Sequence, residues 1–375
     1  MKRTWKLAAV AAAASLFVAA CSDDKDSSTT TAGGDTTTTA AAAPDIKVAV
    51  VYIGVPGDAG WTYQHDQGIA ELESNLGIEV KRIENIADNA DSQKTFEQLA
   101  ADGYDLIFGT SFGYGDPMLA VAANYPDTCF EWATGYKTAD NLGTYFGAAE
   151  EARYLSGIAA GAASASGKIG YVAAFPIPEV LRGINAFTLG AQSVNPDATV
   201  QVQWTKTWFD PTLEGEAAQA LVDAGVDVLA QHQDSTATGE VAKNAGIKWA
   251  GYNSDTSEFA PDAWLTAPTW DWGPYYTATA EAVAGGSCPT DQYYGNMKDG
   301  MVTLASLGSS VDADTAALIE EKKQAIIDGT FAPFSGPLNN QDGSQVLAEG
   351  ETATLDQLLG MDFFVEGVIG SATGE

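Results

Sequence analysis

Short apolar runs alternate with amphipathic stretches of helical period along most of this chain. Ile46-Lys-Val-Ala-Val-Val-Tyr-Ile53 is the clearest apolar run, of the kind that a strand buried on both faces requires. Further strands are predicted at 79–83, 105–110, 129–133, 144–146, 168–173, 199–204, 227–231, 249–252 and 263–267. Helical patterns fall between most of them, at 63–76, 91–101, 148–165, 179–194, 211–224, 236–245 and 274–284. Regular strand-helix alternation predicts an α/β protein with doubly wound parallel sheets.

One piece of this pattern occurs twice. Leu99-Ala-Ala-Asp-Gly103-Tyr-Asp105-Leu-Ile107 returns as Leu221-Val-Asp-Ala-Gly225-Val-Asp227-Val-Leu229. Each copy reads as the end of an amphipathic helix, a Gly stop and a β-rich strand leading into a polar loop. Two copies predict two similar lobes, and loops at the carboxyl ends of parallel strands are where open α/β sheets bind ligands. A cleft between the lobes follows.

The length agrees, because the residues from Asp45 onward are too many for one comfortable core. The small-residue break Ser164-Ala-Ser-Gly167 sets the boundary. Lobe 1 is expected at 46–165 with part of 270–375, and lobe 2 at 166–269 with part of 300–345. Beyond Trp270 the chain is expected to cross back to the first lobe. No pattern places the tail from Ser306 onward in either lobe.

The N-terminal residues belong to a different problem. Lys2, Arg3 and Lys6 precede an apolar stretch too short for a membrane span, and 1–20 reads as a signal peptide. It ends Val18-Ala19-Ala20-Cys21, which resembles the lipobox of bacterial lipoproteins, with lipidation expected on Cys21. Residues 21–45, rich in Ser, Thr and Ala with no aromatic residue, read as a flexible tether.

The whole chain carries a formal charge of −32, and removing 1–20 takes away only positive charges. Such a surface repels nucleic acid, and no basic patch interleaved with aromatics offsets it. After Cys21 only Cys129 and Cys288 remain, which in an exported protein suit one disulfide. The spacing of Cys and His suits no zinc site, so neither a metal nor a cofactor is expected.

Candidate chemistry gathers at the predicted strand ends. Trp61, Tyr63, His65, Phe112 and Asp116 come from the first lobe. His232, Asp234, Asn253, Asp255, Trp270 and Trp272 come from the second lobe and its exit. Rings with carboxylates and amides suit a flat, hydrogen-bonding small molecule. Trp61, Trp270 and Trp272 suit an ordinary lobe interface equally well. Asp116 before Pro117 also suits a helix cap, and His65 is expected on a helix surface. The glycines of 54–60 match neither phosphate-loop spacing, and there is no GxSxG elbow. A carboxylate-pair hydrolase built on Asp116 and Asp234 stays open.

From Lys47 to Gly370 the chain resembles the basic membrane protein family, the purine nucleoside receptor A-like substrate-binding lipoproteins of ABC transporters. The motifs are Gly-Trp61-Thr-Tyr63-Gln-His65, Ala-Thr-Gly-Tyr136-Lys-Thr, Gly170-Tyr-Val-Ala-Ala-Phe175-Pro-Ile-Pro178-Glu-Val, Gly183-Ile-Asn-Ala-Phe187, Trp208-Phe-Asp-Pro211, Trp270-Asp-Trp-Gly-Pro-Tyr275-Tyr and the tail from Gly360. The resemblance implies a type I periplasmic-binding-protein fold, two lobes closing on a purine without catalysis. It implies a monomer, anchored outside the cytoplasm through Cys21, that partners a permease and an ATPase.

Where nucleoside-binding relatives have an Asp and a Lys for ribose, this chain has Asn253 and Trp270, and their second-lobe Phe aligns with Gly183 beside Arg182. That departure implies a free nucleobase such as adenine, hypoxanthine or xanthine. Trp61 and Trp270 would stack the base, and Asp116, Asp234 and Asn253 would read its edge, with Phe175 also at the site. A nucleoside-binding, sensory or enzymatic role on the same fold remains the alternative.

Overall fold

The structure, a computed structural model, describes residues 43–375. The signal peptide, Cys21 and all but the last residues of the tether lie outside the described residues.

The first sheet is built from β1 (Val48–Val51), β2 (Val80–Ile83), β3 (Leu106–Gly109), β4 (Cys129–Ala133) and β5 (Leu142–Gly147). The second repeats the plan with β6 (Lys168–Ala173), β7 (Thr199–Trp204), β8 (Val228–His232), β9 (Lys248–Ala250) and β10 (Trp264–Thr266). Their orders, β5-β4-β3-β1-β2 and β10-β9-β8-β6-β7, are the same, and every pairing is parallel. β3 and β8, the strands of the duplicated sequence, occupy the same central place. The repeat glycines Gly103 and Gly225 both have positive φ, 74° and 90°, which a residue bearing a Cβ adopts only with strain.

Helices α1 (Trp61–Leu76), α2 (Gln93–Ala101) and α3 (Gly115–Ala122) belong to the first half, whereas α4 (Ala149–Ala163), which follows β5 in the chain, packs on the second half against β9 and β10 and the helix that follows β6. Helices α5 (Pro178–Val194), α6 (Pro211–Asp223) and α7 (Ala237–Ala245) alternate with the strands of the second. β1, β3, β4 and β5 are buried along their whole length; β1 and β3 accordingly read as continuous apolar runs, while β4 and β5 carry the buried Glu131 and Thr144. α6 shows how local sequence sets a boundary. Asp210 accepts from the N–H groups of Thr212 and Leu213, while Pro211 fills a first-turn position that needs no donor.

The chain passes between the sheets three times. α4 carries it from β5 to β6. After β10, β11 (Pro268–Trp270) leads into α8 (Gly273–Ala284), which packs on α1, and β12 (Gln292–Gly295), which pairs with β5. The last passage starts at β13 (Val302–Leu304), antiparallel to β11. It continues through α9 (Ala313–Ile327), the hairpin β14 (Leu338–Asn339) and β15 (Gln345–Leu347), and α10 (Leu355–Leu359). It ends at β16 (Val368–Ile369) on the free edge of β7. The strand that returns to the second sheet therefore lies beyond the 300–345 expected for it. Cys129 and Cys288 form a disulfide, Cα atoms 5.6 Å apart, tying β4 to the segment before β12.

Among the described residues no helix is long and apolar enough to cross a membrane.

Candidate functional site

The carboxyl ends of the two sheets face each other across a narrow cavity. Ile53, Trp61, Ser111, Phe112 and Thr134 line it from the first lobe; Glu179, Trp208, His232, Asp234 and Tyr252 line it from the second. Each of these residues ends a strand or follows one, where a parallel sheet presents its loops. A wider hollow of about 440 Å³, open to solvent, adjoins it and shares Phe112, Thr134 and Glu179 as walls.

The aromatic walls are held in place. Trp61 Nε1 donates to the Thr110 carbonyl at 2.6 Å, and its ring meets Trp270 and Trp272 edge-on, centroids 6.0 and 5.7 Å away. Opposite, Trp208 packs edge-to-face on Phe175 at 5.0 Å, and its Nε1 reaches Asp88 of the first lobe at 3.3 Å. Asp88 also accepts from Ser111 Oγ at 2.8 Å, so one carboxylate ties both lobes together beside the cavity.

The polar groups divide into satisfied and unsatisfied. Asn253 is fully committed: its Nδ2 donates to Asp234 Oδ1 and its Oδ1 accepts from Trp270 Nε1, both at 2.8 Å. Burial holds the Asp234 carboxyl well above the usual carboxylate range, and the nearby Asp58 and Glu214 carboxylates push it the same way. In contrast, Thr134 Oγ1, Glu179 Oε2, His232 Nδ1 and the Tyr252 hydroxyl are buried with no hydrogen-bond partner among the described residues. All four belong to residues that line the cavity. Leaving such an atom unmatched costs about 1–3 kcal/mol.

Glu179 Oε1 lies 3.4 Å from His232 Nε2. Burial raises the Glu179 carboxyl to about 7 against the pull of Arg182 and Arg153. Burial holds His232 well below the ordinary histidine value, and the guanidinium groups of Arg153 and Arg182 add to this, so its ring is neutral. Arg153 itself donates to the Gln231 carbonyl at 2.7 Å and stacks on Tyr252, 3.7 Å from the ring centre.

Of the sequence-predicted residues, the fold brings Trp61, Phe112, His232 and Asp234 to the cavity. Trp270, Trp272 and Asn253 lie one layer behind, buried: Trp272 stacks between His65 at 4.6 Å and Trp270 at 4.9 Å. Trp61 and Trp270, nearly perpendicular, cannot sandwich one plane between parallel faces. Phe175 backs Trp208. Arg182 faces the wider hollow, paired with Glu150 at 3.2 Å and donating to the Leu358 carbonyl at 2.8 Å. Tyr63 and Asp255 meet instead in a separate hollow at the lobe rim.

Asp116 is exposed and lines no part of the cavity, nor does it cap α3, whose N-cap is Tyr114. The cause is rotation: Gly115, Pro117 and Met118 take the buried face, Gly115 against the Trp132 ring, and Asp116 is left pointing out. His65, expected on a surface, is fully buried with Nδ1 2.5 Å from the Tyr276 hydroxyl. Thr134, Glu179, Trp208 and Tyr252 went unrecognised as site residues, although the strand-end rule that selected Phe112 and His232 applies to them as well.

Two sheets of order 5-4-3-1-2, three passages between them and a cavity at their facing carboxyl ends define the type I periplasmic-binding-protein fold. A solute-binding protein of an ABC transporter system from Aeropyrum pernix K1 has this fold, with a TM-score of 0.69 over 76% of this chain and 92% of that one, at 21% identity.

Residues 45–333 match the family model Bmp, ABC transporter substrate-binding protein PnrA-like, and the chain belongs to that family. A purine-binding protein of Brucella abortus (strain 2308) is 49% identical over 325 residues, 86% of this chain and 93% of the relative. A candidate ABC transporter glucose-binding protein of Haloferax volcanii is 42% identical, covering 87% of this chain and 81% of the relative. The protein is thus the substrate-binding component of an ABC transporter and not an enzyme. Such components work outside the cytoplasm, binding small molecules and engaging permease and ATPase subunits.

Proposed function

We propose that this protein captures a purine for import, and that the ligand is a free nucleobase such as adenine, hypoxanthine or xanthine. The observation that carries the reading is one interlobe cavity lined by aromatic rings and by four residues that each carry an unmatched buried polar atom. Indole and phenyl faces supply stacking surface for a flat ring. A threonine, a carboxyl, a neutral imidazole and a phenol offer both donors and acceptors to its edge. The purine-binding relative supports the same class.

Trp61, Phe112 and Trp208 would hold the ring, and Asp234, His232 and Glu179 its edge. Asn253 and Trp270 act behind Asp234, fixing its carboxyl. A second reading, a nucleoside, draws on the wider hollow that adjoins the cavity and would take a sugar.

Thermal-shift and calorimetric titration with adenine, hypoxanthine, xanthine, adenosine, inosine and D-glucose decides among these. A ligand at 100 times its Kd stabilises by about 2.7 kcal/mol, a readily measured shift. Stabilisation by bases is expected; stabilisation by nucleosides alone, or by glucose alone, would overturn the reading. The lipobox-like Val18-Ala19-Ala20-Cys21 supports anchoring through Cys21. Cys21→Ala should then release the protein from membranes.

A further inference from the structure

Glu179 stands where the small cavity and the wider hollow meet. Only Phe112, Thr134 and Glu179 line both, and of these Glu179 alone can carry a charge. It is the second residue of α5, behind Pro178, so its backbone is fixed by the first turn of a long helix. Its Oε1 lies 3.4 Å from His232 Nε2, while Oε2 is buried and unmatched. In its ionised form, which prevails above about pH 7, this group accepts hydrogen bonds and donates none.

Resting on the purine reading, we infer that Glu179 selects free bases over nucleosides by accepting the N9–H of the bound purine on Oε2. N9 is the atom through which a nucleoside carries its sugar. The wider hollow joins the small cavity at Phe112, Thr134 and Glu179, so a sugar that reaches it from the cavity passes Glu179. A free base presents an N–H to the carboxylate, whereas a nucleoside presents a carbon substituent and leaves the buried oxygen unmatched. Sites built to hydrogen-bond a particular N–H discriminate strongly against ligands that lack it, because the protein group is then left without a partner. The wider hollow thus gives room for the sugar without making the protein a nucleoside receptor.

The test is calorimetric titration of the wild-type protein, Glu179→Gln and Glu179→Ala with hypoxanthine, 9-methylhypoxanthine and inosine. Wild type should bind hypoxanthine at least 100-fold more tightly than 9-methylhypoxanthine. In Glu179→Ala that ratio should fall below about 10, through weaker base binding and better tolerance of the methyl group. In Glu179→Gln, which keeps the shape, hypoxanthine should weaken about 10-fold. A purely structural Glu179 would weaken all three ligands equally and leave the ratio intact, which overturns the inference. So does a wild-type protein that binds the 9-methyl compound or inosine as well as hypoxanthine. Were Glu179→Ala not to fold, undiminished hypoxanthine binding by Glu179→Gln would overturn it alone. If wild type bound no purine, the function proposed above would fall as well; purine binding with an unchanged ratio removes Glu179's role only.

Discussion

Trp208 and Asp116 make a contrasting pair of residues. Trp208 contributes its ring to the cavity wall and its Nε1 to Asp88 across the lobe boundary, yet it is only partly buried and belongs to no sheet. Trp208→Ala should therefore cost little stability but weaken ligand binding by about 1–3 kcal/mol, the usual worth of stacking a base on an aromatic ring. Asp116→Ala should leave affinity within error, since its side chain points to solvent. Titrating both variants with the same base checks the pair, and a loss on Asp116→Ala would put that carboxylate back at the site. The residue types were legible in the sequence: rings, carboxylates and amides at strand ends. Their facing was not, because one residue of helix turns a side chain by about 100°. Asn253 and Trp270 show a related limit, since their polar atoms are satisfied by each other, a pairing that only the folded chain reveals.

Between β4 and α8, a carboxyl is packed where it cannot easily ionise. Glu131 is fully buried, with Oε2 accepting from the Tyr275 hydroxyl at 2.8 Å. Burial raises it to about 8, Asp291 adds to this, and the Tyr275 bond opposes it. The folded state thus keeps a proton that the unfolded chain, near its ordinary value of 4.5, has already lost. Stability should fall as pH rises from about 4.5 to 8, with a slope on the order of 1 kcal/mol per pH unit from this group. Glu131→Gln should lessen that slope, gaining on wild type between pH 5 and pH 8.5 in thermal unfolding. Glu151 and Glu179, both raised to about 7, keep some of it in place. A variant whose midpoint tracked wild type at every pH would show that Glu131 is ionised in the fold. Elements of this kind, long apolar strands with periodic helices between them, were readable because burial on both faces leaves a strong pattern. α3 was harder to read, since Gly115-Asp116-Pro117 looks like turn chemistry. β16 was illegible because a two-residue strand carries no period and its partner, β7, lies far back in the chain.

Across the whole molecule, the lobes are held closed by contacts that an open form would lack. Ser254 Oγ donates to the Ala59 carbonyl, and Trp208 reaches Asp88. A further close approach is at Gly60, the residue before α1: a Cβ there would sit 2.6 Å from the backbone oxygen of Asp234 in the opposite lobe. That oxygen belongs to a loop that also supplies the cavity with a side chain, so it cannot retreat without deforming the site. Swinging the lobes apart relieves the clash at once. Gly60→Ala should therefore act on the open-closed balance and leave the lobes themselves folded. Thermal unfolding without ligand should be nearly unchanged, while affinity falls about tenfold or more, because a closed state disfavoured by about 1.4 kcal/mol subtracts that amount from binding. Small-angle scattering supplies the independent readout: wild type should contract on adding ligand, and Gly60→Ala should need proportionally more ligand to reach the same dimensions. Equal affinity and equal contraction in the two proteins would mean that closure tolerates a Cβ at this position and that the lobes meet less tightly than the contact at Asp234 requires.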